Sequence, residues 1–198
     1  MTPPGPDTPG PGLPGPDAPD PGAADFRLWV HYGQAYLLDG EGADILTPAP
    51  SPDLSAGLVL TRRPADPPGT GFAFLVTGLH TGEVDFSVRV RATDPGPDLG
   101  GYEDVVELSV ELPVGAPVIE QWGGGAIPLP PLPAGPGWYR LRYHARGFDA
   151  AAAADTLGDG EDPIDAYLLQ LWPAAPTPPA AVRVVSEGVR SRLNPRRR

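Results

Sequence analysis

Cysteine and lysine are both missing from these 198 residues, Asn occurs only at Asn194, and Met only at the start. Without cysteine there are no disulfides, thiolate metal sites, sulfur nucleophiles or redox pairs. Long apolar runs are also lacking, and none approaches the roughly 20 residues that span a bilayer. The opening MTPPGPDTPG has neither the basic nor the apolar stretch of a signal peptide, which predicts a cytoplasmic protein with no membrane partner. Amphipathic helical stripes are absent too. FDAAAAADTLGDG has an Ala run but no apolar stripe and breaks at Gly158, so a turn or two of helix is expected there. The lack of Lys beside abundant Ala, Gly, Pro and Arg reads as the codon usage of a GC-rich genome, so Pro and Arg counts carry little functional weight.

What is plentiful is Pro (30) and Gly (26), clustered outside the periodic segments. Residues 1–25 hold almost no side chain able to anchor in a core and lack the three-residue period of collagen, which predicts a disordered, polyproline-like acidic tail. A folded domain is expected over 26–185, with an acidic loop at 149–165, followed by a disordered Arg-rich tail over 186–198. Charge divides along these lines. Residues 1–25 carry four acids and no base, 26–172 carry 20 acids and eight Arg, and 173–198 carry one Glu and six Arg, within a net charge of −11. So acidic a core repels phosphate backbones and excludes nucleic acid as its partner, while attracting a basic protein surface. The arginine run at 196–198 is too short and isolated to reverse that reading.

Two-residue periodicity dominates the middle. In FRLWVHYGQAYLLDG, Phe26, Leu28, Val30 and Tyr32 share a face opposite Arg27, Trp29 and His31, and Gly33 is read as a bulge. Strands are also expected around Leu58, in FAFLVTG, in EVDFSVRVR (Val84, Phe86, Val88 and Val90 inward), in YEDVVELSVELPVG, in WYRLRYHAR and in AYLLQLWP, with weaker ones in PVIEQW and AVRVV. If the two strands flanking DPGPDLGG pair, Arg89 and Arg91 face Glu107, Ser109 or Glu111. About seven to nine short strands between Gly/Pro turns predict an all-β fold, a two-layer antiparallel β-sandwich with disordered termini.

Chemistry-bearing constellations are few. His31 and His144 lie on the polar faces of their strands and His80 in the turn GLHTGE, but no HxH or HxxxH spacing gathers metal ligands. Ser51, Ser55, Ser87, Ser109, Ser186 and Ser191 lack a nucleophile elbow. GPDLGG and QWGGGAIP lack the strand-to-helix setting and the Lys of a phosphate loop. No catalytic residue, metal or cofactor is therefore assigned. Asp155, Asp159, Glu161, Asp162 and Asp165 do not follow the EF-hand pattern; they read as a solvated acidic loop or as a docking surface for a cationic partner. Trp138, Arg140 and Arg142 alternate on WYRLRYHAR in the residue types enriched at interfaces, although Trp29, Trp138 and Trp172 equally suit a second packed layer.

The order of short motifs resembles the small bacterial family typified by the competence protein ComJ, the inhibitor of a DNA-entry nuclease, and related actinobacterial proteins. The similar features run from about 26 to 171: YGQAYLLD, YEDVVELSVELPV, LPAGPGWYRLRY and DAYLLQLW. The resemblance implies a compact, non-enzymatic β-protein that binds a basic nuclease in the cytoplasm, and structural roles for Gln34, Tyr36, Glu103, Asp104, Gly137, Trp138, Tyr139 and Tyr167. The Pro-rich start, the acidic segment 146–165 and the Arg-rich end depart from the smaller relatives. The leading reading is an acidic protein-binding module, an inhibitor or immunity protein for a basic nuclease. The alternatives are a structural or regulatory β-domain, and a small-ligand-binding or metal-dependent enzyme using His31 and His144.

Overall fold

A computed structural model describes residues 20–40, 57–61 and 71–193. The Pro/Gly-rich start up to residue 19, Ser51 and Ser55, the breaker-rich stretch from Arg62 to Thr70 and the arginine run at 196–198 lie outside the described residues. Among the described residues there are eleven strands: β1 (Ala23–His31), β2 (Gln34–Asp39), β3 (Val59–Thr61), β4 (Gly71–Val76), β5 (Thr81–Val90), β6 (Asp104–Leu112), β7 (Val118–Glu120), β8 (Ala126–Pro128), β9 (Gly137–Arg146), β10 (Ala166–Pro173) and β11 (Ala180–Arg183). Two short helices accompany them, α1 (Phe148–Ala154) and α2 (Glu187–Leu193). The first strand thus begins three residues before the boundary at Phe26, and a helix occupies part of the 186–198 segment expected to be frayed.

All eleven strands belong to one mixed sheet in the order β11-β6-β9-β10-β5-β1-β2-β4-β3, with β7 pairing β2 and β8. β1 and β2 share a single residue pair, His31 with Gln34, so the chain turns away at that corner. The sheet therefore folds into a large layer, β11-β6-β9-β10-β5-β1, and a small one, β8-β7-β2-β4-β3. One apolar cluster fills the space between, with Leu28, Phe86, Leu108, Leu141 and Leu169 from the first layer and Leu37 and Leu75 from the second. The two-layer all-β expectation holds, with two differences. One central pair, β5 with β10, is parallel: β10 enters the sheet after α1 and the acidic loop and inserts between β5 and its antiparallel neighbour β9. β5 and β6 do not pair: Arg89 meets Asp25 at 2.9 Å and Arg91 meets Asp20 at 2.5 Å, not Glu107 or Glu111. The loop between them carries the chain across the outer face, where a hairpin would have left that face open.

Gly33 is a turn, not a bulge. Tyr32 and Gly33 both have positive φ, 57° and 62°, as in the tight two-residue hairpin turn that matches strand twist. Gly78 serves a close approach instead, since a Cβ there would sit 2.2 Å from the Phe148 carbonyl. That contact brings α1 and the acidic loop after it against the start of β5. Residues carried by the family resemblance hold the frame: the Tyr139 hydroxyl donates to the Gly135 carbonyl at 2.8 Å, Glu103 accepts from the Gly147 N–H at 3.2 Å, and Asp104 caps the N–H groups of Val185 and Ser186 and accepts from the Ser186 hydroxyl.

Candidate functional site

The outward side chains of β9 do not form an open face. Arg140 and Arg142 are only 6% and 3% exposed. Arg140 Nε donates to Glu107 at 3.1 Å and Arg142 Nε to the other oxygen of the same carboxylate at 2.6 Å. Arg142 also forks onto Asp94 at 2.9 and 3.2 Å, and its guanidinium lies 4.5 Å over the Trp172 ring. The Arg142 hydrogen bond holds the Asp94 carboxyl below the usual range. The β5–β6 loop supplies Asp94, and the stretch after β10 supplies the Thr177 carbonyl that Arg140 also bonds. Both arginines are thus engaged inside the fold, under loops whose long-range placement is invisible in the alternation of WYRLRYHAR. Trp138 remains 43% exposed at the far end of β9.

The acidic loop divides similarly. Asp155, Asp159, Glu161 and Asp162 are exposed, whereas Asp165 is buried. Asp165 accepts from the Leu79 N–H at 3.1 Å and from the Tyr167 hydroxyl at 2.6 Å, and burial raises its pKa. It pins the loop down and leaves four carboxylates on its surface. Asp162 reaches the Arg27 guanidinium at 3.5 Å, a contact between exposed groups that water screens strongly.

Beside this loop stands a cluster that the sequence reading did not assemble. Tyr32, at the tip of the β1–β2 turn, is 59% exposed. Its ring centroid is 4.1 Å from His31, 5.2 Å from His80 and 5.4 Å from Trp122 of the β7–β8 loop. The Thr81 hydroxyl joins the two histidines, at 2.7 Å from His31 Nδ1 and 2.8 Å from His80 Nδ1. The Trp29 backbone N–H donates to the Gln121 side-chain oxygen at 3.0 Å, which seats the Trp122 loop on β1. The loop and the corner share a backbone seam: the N–H groups of His80 and Thr81 both donate to the Asp155 carbonyl, at 2.9 and 3.1 Å, and the Leu157 N–H donates to the Thr81 carbonyl at 2.9 Å. Among the described residues, Tyr32 and Asp155 are the two non-glycines with positive φ; Asp155 bonds the Thr81 N–H, and Tyr32 follows His31, whose ring bonds the Thr81 hydroxyl. Such backbone strain collects at functional positions.

One signal for the corner was present in the sequence. A Tyr-Gly pair occupies a turn where Asn-Gly or Asp-Gly is the usual choice, and a Trp stands in the otherwise glycine-rich QWGGG. Replacing Tyr32 with Asn should leave stability within about 1 kcal/mol of the parent, because relief of roughly 1 kcal/mol of left-handed strain offsets ring contacts of similar size. Chemical denaturation measures this. A loss above about 2 kcal/mol would mean that the ring is there to hold the fold together.

His31 and His144 do not converge. β5 and β10 separate their strands, and His144 is fully buried, its Nε2 accepting from the Asp98 N–H at 3.1 Å and its Nδ1–H donating to the Leu168 carbonyl at 3.1 Å. Among the described residues no three His, Asp or Glu side chains group to hold a metal, and no helix is long and apolar enough to cross a membrane. A shallow cleft of about 390 Å³ opens over Ala166, between the Arg27 and Asp85 ion pair on one side and Arg146, stacked on Tyr102, on the other.

No family profile matches the chain, and no curated protein matches it in sequence. Two solved structures are similar to it. The crystal structure of ComJ, inhibitor of the DNA degrading activity of NucA, from Bacillus subtilis, superposes with a TM-score of 0.52 at 12% identity, over 76% of this chain and 96% of that one. A protein described as crocagin biosynthetic gene J gives 0.45 at 14% identity, over 77% and 97%. The first likeness is one of fold, and it agrees with the family that the ordered motifs resemble.

Proposed function

We propose that this chain is a non-enzymatic, acidic protein-binding module that inhibits a basic nuclease in the cytoplasm. The observation that carries this reading is the seam at Thr81, where an exposed aromatic corner meets the exposed carboxylates Asp155, Asp159, Glu161 and Asp162. Aromatic anchors supply the tight contacts of an interface, and surrounding charge of one sign steers an oppositely charged partner. The net charge of −11 extends that attraction beyond the loop. The inhibitory role named for the ComJ structure supports the choice of a nuclease as target. Trp138 lies eight residues along β9 from Arg146, roughly 26 Å at the rise of a strand, and adds a second contact for a partner broad enough to span the layer.

The test joins capture to activity. The tagged full chain is exposed to lysate of its native host at about 50 and about 500 mM salt, spacing the trials across the range in which exposed charges become screened. Captured proteins are then assayed for DNA degradation with and without added chain. The expected result is one basic protein, retained at low salt and weakly at high, whose DNA-degrading activity falls as the chain is added. Capture of nothing at either salt, or of proteins whose nuclease activity does not respond, rejects the inhibitor reading.

A further inference from the structure

We propose that the corner of Tyr32, Trp122, His31 and His80 is an arginine-reading site that receives a guanidinium from a loop of the basic partner; this rests on the protein-binding reading above. A cation is favoured over the face of Trp or Tyr, and the planar guanidinium stacks there better than an ammonium does. Tyr32 and Trp122 meet edge to face at 80°, and Tyr32 stays 59% exposed, which leaves ring surface open to a ligand at the corner. Asp155 is tied to the same spot through its carbonyl bonds to His80 and Thr81, which places a carboxylate-bearing residue next to the rings.

The rest of the chain shows the contact in its filled form. Arg142 lies 4.5 Å over Trp172, Arg192 5.2 Å over Phe148 and Arg146 5.9 Å over Tyr102. Among the described residues the corner has the rings without a guanidinium of its own. Arg27, on the neighbouring stretch of β1, is paired with Asp85 and Asp162. Charge complementarity therefore selects the occupant: a cation from outside, with the flat shape that the rings favour.

Three histidines in the chain make the test direct, since a spectrum of the ring Cε1–H pairs in histidine-labelled full chain holds three signals, from His31, His80 and His144. The probe is the blocked pentapeptide Gly-Arg-Gly-Arg-Gly, titrated at neutral pH beside its lysine and citrulline counterparts. The expected result is a saturable shift of the His31 and His80 signals with the arginine peptide, while buried His144 stays still and reports an intact fold. The lysine peptide, of equal charge, should bind at least about threefold more weakly, and the uncharged citrulline peptide more weakly still. Tyr32→Asn or Trp122→Leu should weaken the arginine response by roughly fivefold or more, with the His144 signal unmoved. An equal response to the lysine peptide, no shift at His31 and His80, or an unchanged response in both variants overturns the proposal. Arginine binding without any inhibited nuclease would remove the inhibitor reading alone, whereas inhibition without an arginine response would remove this site alone.

Discussion

Replacing Arg142 with Met is expected to lower the stability of the protein by about 3–5 kcal/mol, the cost of breaking a buried ion pair from one side. The cost falls unevenly on the partners. Asp94 is half-exposed and can rehydrate, but the Glu107 side chain is 16% exposed and would keep only Arg140. The Gln170 side-chain amide oxygen, Oε1, which accepts from Arg142 at 3.0 Å, would also lose its donor. Urea unfolding of Arg142→Met, Glu107→Gln and the double variant measures the coupling. Because Glu107 still pairs with Arg140 in Arg142→Met, whereas its amide leaves the buried Arg140 guanidinium without a carboxylate, the double variant should be less stable than Arg142→Met alone. A single-variant loss below about 1 kcal/mol would show that water reaches this layer and screens it as it screens a surface pair.

Acidification should destabilise the fold through His144. Burial is the main cause that lowers its pKa from 6.5 to about 4, with the positive charge of Arg142 adding to it; the Leu168 carbonyl, Asp98 and Glu107 oppose the shift without cancelling it. Because the folded state holds the proton less tightly than the unfolded chain, the unfolded chain takes it up first as pH falls. The stability associated with neutral His144 is therefore fully present above about pH 6.5 and is lost progressively towards pH 4, by roughly 3 kcal/mol in all. The structural consequence is local. A proton on Nε2 would set a donor against the Asp98 N–H and beneath the Tyr102 ring, 5.2 Å away, so the β5–β6 loop should open first. Denaturation of the parent and of His144→Gln between pH 7 and pH 4 separates this effect from other titrations. Parallel curves would mean that His144 does not govern the acid limb. Asp94 and Asp25, both held low by hydrogen bonds, add their own losses at lower pH, while Asp165, raised by burial, works in the opposite direction.

Much of the architecture was legible in local pattern. EVDFSVRVR became β5 with Val84, Phe86, Val88 and Val90 buried, and WYRLRYHAR became β9 with Tyr139, Leu141 and Tyr143 buried. The period of two is written into the order of residues, because a pleated strand sends alternate side chains to opposite faces. The same rule failed on the second face. Alternation marks Arg140, Arg142 and His144 as outward without saying that loops more than thirty residues away will cover them. It likewise joined Phe26 and Tyr36 into one bulged strand, because a tight turn with Tyr at its first central position looks like continued alternation.

The candidate site shows the division most sharply. Composition alone determined an acidic, cysteine-free chain, since net charge and residue types need no coordinates. The exposed carboxylates of the acidic loop were visible as a charge run, but which of the five stay in water was not, because the burial of Asp165 depends on the Leu79 N–H of the β4–β5 turn and the Tyr167 hydroxyl of β10 meeting it. Only the tertiary structure brought Tyr32, His80 and Trp122 together with Asp155, from four segments separated by tens of residues. Those meetings are set by sheet order and loop path, which are properties of long-range packing and leave no mark in the short-range period of the sequence.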